Sequence, residues 1–245
     1  MDHLIYTAMS GASAAANRQA VLSNNLANAS TNGFRAELST FRAVPIRGDG
    51  APTRVLALEA TPGHLDTPGP AQRTGRSLDA MTTGNSWFAV QALDGTETYT
   101  RNGAFEVAND GTLKTSNGLT VLSDGGSPIS VPTGAAVSIG FDGNLSAKVG
   151  NQPPTGVGRL KLVTPTGDDP LKRGTDGLFR STSGDALPSD TTARLNVGVL
   201  EGSNVNAIET MVGMIATARQ FETQMRLLQT AEANEKSADQ LLNVQ

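Results

Sequence analysis

The sequence predicts an α+β protein: long N- and C-terminal helices, paired in coiled-coil-like fashion, carry a mainly antiparallel all-β central domain. Three observations predict it. Both ends of the 245-residue chain place a small or apolar residue at nearly every third or fourth position, and all 12 prolines fall between those ends, from Pro45 to Pro188. The stretch between is punctuated by Asp-Gly and Asn-Gly pairs, which tolerate positive φ and so suit tight hairpins.

From the N-terminus, Ile5, Ala8, Ala12, Ala15, Gln19, Leu22, Leu26 and Ala29 step by three and four. That spacing turns one narrow stripe toward a partner helix. It predicts a helix from about Leu4 to Ala29, stopped in the cluster Asn28-Ala29-Ser30-Thr31-Asn32-Gly33 with Gly33 as a left-handed cap. Between Asp2 and Arg35 the only formally charged side chain is Arg18. An outer face of Ser, Asn, Gln and Thr implies cover by further protein, because hydrogen bonds can replace water there without desolvating ions.

Near the other end, Ala207, Met211, Met214, Ala218, Phe221, Met225 and Leu228 repeat the stripe before it drifts through Ala231 and Ala238 to Leu242. Asn206 and Glu209 stand at capping-box spacing just ahead of it. A helix from Asn206 to about Val244 would span on the order of 55 Å at 1.5 Å per residue. Glu222 with Arg226 and Glu232 with Lys236 sit in the favourable i,i+4 order of a wet face.

The central runs Trp87–Leu93, Thr96–Arg101, Val137–Ile139, Arg159–Val163 and Arg194–Leu200 are short and rich in β-branched or aromatic residues. With turn dipeptides recurring between them, they predict a meander or small barrel. Residues 45 to 83 hold Pro45, Pro52, Pro62, Pro68 and Pro70 but little regular period, which predicts an extended connector with an edge strand around Arg54–Leu58. The expected organisation is therefore residues 1–35 for the N-terminal helix of an axial core, 36–83 for the connector, 84–200 for the β-domain and 201–245 for the C-terminal helix.

Composition narrows the function. The net charge is −4 and no run of Lys or Arg forms a basic stripe, which argues against nucleic acid and anionic membrane as partners. There is no cysteine, so disulfides, thiolate-bound zinc and a thiol nucleophile are excluded. No apolar run approaches the roughly 18 residues of a membrane span. Ala8–Ala16 has Ala-x-Ala spacing, but Asp2 and His3 replace a basic start, and Thr7, Ser10, Gly11 and Ser13 interrupt the apolar core. A cleaved signal peptide is not expected.

Catalytic patterns are missing too. His3 and His64 lack neighbouring partner sets, and no nucleophile elbow, zinc-binding His pair, phosphate loop or dinucleotide fingerprint occurs. Asp168-Asp169, between Gly167 and Pro170, reads as a solvated turn. Trp87, Phe88, Tyr99 and Phe105 read as the core of a small β-domain in preference to a sugar-stacking platform. The expectation is no catalytic residue, no cofactor, no metal and no small-molecule substrate.

The run Ser23-Asn24-Asn25-Leu26-Ala27-Asn28-Ala29-Ser30-Thr31-Asn32-Gly33-Phe34-Arg35 resembles the N-terminal signature of the bacterial flagellar axial proteins, the rod, hook and hook-associated family. Trp87-Phe88-Ala89-Val90, Asp94-Gly95, Tyr99-Thr100-Arg101-Asn102-Gly103, Phe105 and Asp110-Gly111 are similar to the β-domain shared by rod and hook proteins. Glu201-Gly202-Ser203-Asn204-Val205, leading into Glu209, Met211, Ile215, Ala218, Arg219, Phe221 and Glu222, is similar to the family's C-terminal helix.

The resemblance implies a non-enzymatic subunit of the flagellar basal-body rod, of the proximal type, with a distal-rod or hook-type subunit as the alternative. It implies a helical assembly with other rod subunits in the periplasmic space, transmission of motor torque to the hook, and export through the flagellar type III apparatus. The signature residues are then Asn25, Leu26, Ala27, Asn28, Thr31, Gly33 and Phe34. The helix-pairing and assembly seam is Ile5, Ala8, Ala12, Ala15, Leu22, Leu26 and Ala29 against Met211, Met214, Ala218, Phe221, Met225 and Leu228. From other classes stand a secreted or periplasmic glycan-acting enzyme, which needs a convergent acidic pair, and a carbohydrate-binding module, which needs an exposed aromatic strip.

Overall fold

The computed structural model describes residues 2–45, 55–59 and 63–242. The chain forms two compact units, one of Met1–Ala29, Ala36–Leu65 and Val205–Gln245, the other of Ser30–Arg35 and Asp66–Asn204.

The first unit holds α1 (Asp2–Ala27), β1 (Glu37–Leu38), β2 (Phe41–Pro45), β3 (Val55–Glu59), β4 (Gly63–His64) and α2 (Ala207–Leu242). Gly11 of α1 lies against Gln224 of α2 and Gly213 lies against Leu22. As the position rises on one helix it falls on the other, so the two pack antiparallel. Asn206 caps α2, its side-chain oxygen accepting from the backbone N–H of Ile208 at 3.1 Å and of Glu209 at 3.3 Å. Val244, the expected end of this helix, lies outside the described residues.

The strand expected around Arg54–Leu58 exists as β3, with Arg54 outside the described residues, but it extends no larger sheet. It pairs antiparallel with β2, and β1 pairs with β4. The Ser10 hydroxyl of α1 donates to the Ala57 carbonyl and accepts from the Ala57 N–H, each at 3.1 Å, which seats β3 on the helix. The expected connector of residues 36–83 is therefore divided: residues up to Leu65 belong with the helices, and those from Asp66 onward with the β unit. Strands of two to five residues, broken by prolines, are too short to show a period of two in the sequence.

The second unit holds β5 (Ala71–Arg73), β6 (Ala80–Thr82), β7 (Trp87–Gln91), β8 (Glu97–Thr100), β9 (Phe105–Val107), β10 (Leu113–Thr115), β11 (Thr120–Val121), β12 (Ala136–Ile139), β13 (Asn144–Lys148), β14 (Thr155–Arg159), β15 (Leu162–Val163), β16 (Leu171–Arg173), β17 (Phe179–Ser181), β18 (Leu195–Val197) and β19 (Val199–Glu201). An eight-stranded sheet runs in the order β16-β17-β8-β7-β11-β10-β9, with β15 also on β7. The strands β12-β13-β14 form a second sheet, and the pairs β18-β6 and β19-β5 complete the unit. All pairings are antiparallel.

The central strand β7 reads Trp-Phe-Ala-Val-Gln because both of its faces are covered. Phe88 and Val90 enter one core with Phe105, Leu113, Leu145 and Leu162. Trp87 and Ala89 enter another with Tyr99, Val163, Leu171 and Phe179. The Trp87 and Phe179 rings lie 4.5 Å apart, and Phe88 meets Phe105 edge-on at 5.1 Å. Between the cores, Lys161 pairs with Glu97 at 2.7 Å, and the Tyr99 hydroxyl donates to Glu97 at 3.0 Å while accepting from the Leu187 N–H at 2.7 Å. Burial, above all, pushes the Tyr99 phenol up.

The loop from Asp190 to Ala193 is closed by one carboxylate. Asp190 accepts from the hydroxyls of Thr164 and Thr192, each at 2.6 Å, and from the N–H groups of Thr192 and Ala193. These bonds, that from Thr164 foremost, hold its pKa down to about 2, against an ordinary 3.8. The fold favours the ionised form, so the contribution is complete above about pH 4 and is lost as pH falls toward 2. The expected outcome is an unfolding free energy, from urea titration, that falls across this window and falls less in Asp190→Asn, by on the order of 1 kcal/mol after discounting for solvent screening. Equal acid losses in the two proteins would show that this carboxylate carries no such linkage.

Candidate functional site

The α1 stripe is turned inward throughout. Ala8, Ala12 and Ala15 are buried, while Ile5, Leu22, Leu26 and Ala29 are half-buried. On α2 the packed line is rotated from the expected one. Met214 and Leu228 are half-buried, Phe221 and Met225 are 39% and 38% exposed, and Met211 and Ala218 face outward. Among the described residues of α2, the buried positions are Thr210, Thr217 and Ala231.

The physical reason lies in the threonines. Thr210 donates its hydroxyl to the Asn206 carbonyl and Thr217 donates to the Gly213 carbonyl, each at 2.8 Å. Satisfied within their own helix, these hydroxyls leave a methyl to face α1, so Thr packs as a small apolar residue. Sequence reasoning that counts only apolar residues passes over them. The signal available was the spacing of Thr210, Thr217 and Gln224 at intervals of seven.

The signature residues divide between the units. In the first, Leu26 is half-buried, Ala27 ends α1 exposed, and Asn28 caps the helix by donating its amide to the Asn24 carbonyl at 2.9 Å. Asn25 is buried, its amide donating to the Glu37 carbonyl at 2.9 Å and accepting from the Glu37 N–H at 2.8 Å. An amide side chain offers the same donor and acceptor as a peptide group, so Asn25 pairs with Glu37 as a neighbouring strand would.

In the second unit the backbone carbonyl of Thr31 accepts from the Phe34 N–H at 3.3 Å, and the Gly33 N–H donates to the Glu201 carbonyl at 2.7 Å. The Asn204 N–H donates to the Phe34 carbonyl at 3.3 Å. Gly33 has φ +70, and a Cβ there would overlap the backbone of Arg101 and Asn102. It is therefore no cap on α1, which ends earlier, at Ala27; the close approach and the left-handed φ together require glycine. Arg173 covers the Phe34 ring at 4.5 Å.

Beneath this loop lies a buried ionic cluster that no sequence motif announced. Arg35 pairs with Glu201 at 2.5 Å, both side chains 0% exposed. Arg101 reaches the other Glu201 oxygen at 3.4 Å, donates to the Thr82 hydroxyl at 2.6 Å and donates to the Gly84 carbonyl at 2.9 Å. The Gly69 N–H donates to Glu201 at 3.1 Å. Both guanidiniums sit over Trp87, Arg101 at 5.0 Å and Arg35 at 5.9 Å from the ring centroid. Burial lowers the Arg101 pKa to about 10, with Glu201 opposing and Arg35 adding to the fall. It remains charged at neutral pH.

Trp87, Phe88, Tyr99 and Phe105 are buried, so they form core and no stacking platform. Asp169 accepts from the hydroxyls of Ser181 and Ser183, as a turn carboxylate does. Among the described residues no group of three or more His, Cys, Asp or Glu is placed to hold a metal ion, and no helix is long and apolar enough to cross a membrane.

A helix pair made from the two termini, and an antiparallel β unit whose incoming and outgoing segments share one ionic cluster, define a structural subunit of the axial type. Three family models match: flagella basal body rod protein over residues 5–35, flagellar hook protein FlgE/F/G D1 domain over 81–147, and flagellar basal body rod FlgEFG protein C-terminal over 196–241. The flagellar basal-body rod protein FlgF of Escherichia coli (strain K12) is 48% identical over the whole of both chains, and that of Salmonella typhimurium (strain LT2) is 47% identical over the same extent. FlgF of Caulobacter vibrioides is 32% identical over 98% of each chain. The chain belongs to the flagellar basal-body rod protein family.

Removing one partner from a buried ion pair costs roughly 3–5 kcal/mol, because the other charge stays buried without its counter-ion. Glu201→Gln, which keeps the shape, is expected to lose that much in urea unfolding followed through Trp87, the only tryptophan. A loss below about 1 kcal/mol would mean that the cluster does not organise the unit.

Proposed function

We propose that this chain is a proximal-rod structural subunit that polymerises with other rod proteins into the periplasm-spanning shaft carrying motor torque to the hook. On this reading it serves flagellum-dependent motility and reaches its place through the flagellar type III export apparatus without a cleaved signal peptide. The observation that carries the proposal is the full-length similarity to FlgF proteins.

The surface of α2 supports it. Ile208, Met211, Val212 and Ile215 are 50–76% exposed and follow one another at helical spacing, an apolar face that asks for cover. On this reading the pair α1–α2 acts as a coiled-coil-like element whose outer faces are covered by neighbouring subunits. Head-to-tail contacts that do not close into a ring generate the helical assembly a shaft needs.

Deleting the gene in its host is expected to stop rod and hook assembly, and the wild-type chain to restore both. Ile215→Asp alters an exposed position and should leave unfolding within about 0.5 kcal/mol of wild type. It should nevertheless fail to restore rods, because the new carboxylate would have to be buried against a neighbour. Normal motility of the deletion strain would overturn the proposal.

A further inference from the structure

The β unit carries a groove and a knob whose chemistries match. The groove, about 1030 Å³, has Ile139, Phe141, Leu195 and Val197 on its apolar walls and Arg73 and Arg76 at its edge. Phe141 is 69% exposed and Val197 37%. Arg73 is exposed, and among the described residues no carboxylate pairs with it. The volume exceeds what one side chain fills and suits a short piece of chain.

The knob is the tip of the β7–β8 hairpin. Leu93 is 98% exposed, the most exposed large apolar residue among the described residues, with Asp94 beside it. One Asp94 oxygen closes the turn by accepting from the N–H and hydroxyl of Thr96. The other lies 3.6 Å from Arg180 at the surface. The turn geometry is thus fixed by bonds inside it, and Leu93 is held outward without support from its own unit.

Knob and groove sit at opposite ends of the same hairpin. At its root, Arg101 donates to Thr82, Gly84 and Glu201 and lies over the Trp87 ring. The groove borders that end, since β18 pairs with β6 and β19 ends at Glu201. The tip lies roughly 20 Å away along the strand, at about 3.3 Å per residue from Trp87 to Leu93. One copy therefore does not fill its own groove.

We propose that the Leu93-Asp94 tip of one copy of this chain seats in the Phe141–Val197 groove of the next copy, a head-to-tail contact in which Asp94 meets Arg73, since Arg76 is already held by Asp79 and the Phe105 carbonyl. This rests on the reading of the chain as a rod subunit. Leucine in the apolar groove supplies the attraction, and the charge pair sets orientation. Because the two patches differ, the contact is heterologous and propagates from copy to copy. Its area is well below the roughly 1,200 Å² of a stable dimer, so it belongs to an assembly in which other contacts already hold the subunits.

The absence of cysteine makes disulfide trapping direct. The full-length chain carrying Leu93→Cys and Phe141→Cys would replace the native copy in its host. Isolated basal bodies would then be oxidised with copper phenanthroline and resolved without reductant. Dimers and higher multimers of the chain are expected, absent from either single variant. Adding Arg73→Asp should lower their yield at least tenfold, and adding Asp94→Arg to that should restore it. An incorporated chain that yields no multimers, that bonds only to a different protein, or whose yield ignores Arg73→Asp would overturn the inference. If even the wild-type chain is not incorporated, the rod reading fails instead. The same trap applied to concentrated purified chain then decides the knob-and-groove contact alone, multimers supporting it and monomers overturning it.

Discussion

A single buried carboxylate, that of Glu201, answers two guanidiniums that come to it from the start and the middle of the sequence. Taking each ion out of water costs several kcal/mol, and the cluster stands only because every member has close partners. Arg35 lies 2.5 Å from Glu201, and Arg101 also donates to Thr82 and Gly84 while resting against Trp87. Arginine suits the task where lysine would not, since its plane stacks on the indole while its edge bonds to carboxylate and carbonyl together. The backbone had to make room: Gly69 and Gly202 meet so closely that a Cβ on Gly69 would overlap the Gly202 carbonyl, and Gly33 lies on Arg101. The segments by which the chain enters and leaves the β unit are thereby bound to one another within it.

The helices obey a different constraint. Ala8, Ala12 and Ala15 are buried on α1, Gly11 lies against Gln224, Gly213 lies against Leu22, and Thr217 is back-bonded within α2; the contact is narrow because many of its residues are small. Fully burying a leucine contributes about 1.5–3 kcal/mol, and a methyl only a fraction of that. The larger apolar side chains of α2, Ile208, Met211, Val212 and Ile215, contribute little of their surface to the pairing. Most helical stability in proteins comes from packing an apolar face, and here much of that face is left over.

How much of this was legible in the sequence follows from distance along the chain. The stripe of α1 and the cap of α2 at Asn206 depend on residues a few positions apart, and they could be read directly. So could the turns at Gly95, Gly111, Gly118, Gly143 and Gly177, which take positive φ. Gly103, in the same kind of dipeptide, does not; it is there because a Cβ would overlap the Ala80 carbonyl, a contact the sequence does not display. The rotation of the α2 stripe was hidden because a threonine bonded to its own helix no longer behaves as its polarity suggests. The ionic cluster was hidden more completely, since Arg35, Arg101 and Glu201 each resemble an ordinary strand or loop charge until the topology brings them together. Asn25 was visible as part of a signature, but its pairing with Glu37 was not.

The two units therefore differ in where their free energy resides. β7 buries both faces and is flanked by two cores, so the β unit has within itself the apolar area that offsets its chain entropy. The helix unit has a slender seam and an uncovered apolar face, so much of its achievable burial lies outside one copy. For a subunit that polymerises, this separation has a physical consequence. On the proposed reading, a change at Glu201 is expected to act on folding, and a change at Ile215 on association. A chain that placed both demands on one surface would have to choose between a stable monomer that resists assembly and a ready assembler that aggregates before it is placed. Small residues in the helix pair and a buried ionic cluster in the β unit are two answers to one requirement: fold first, associate later.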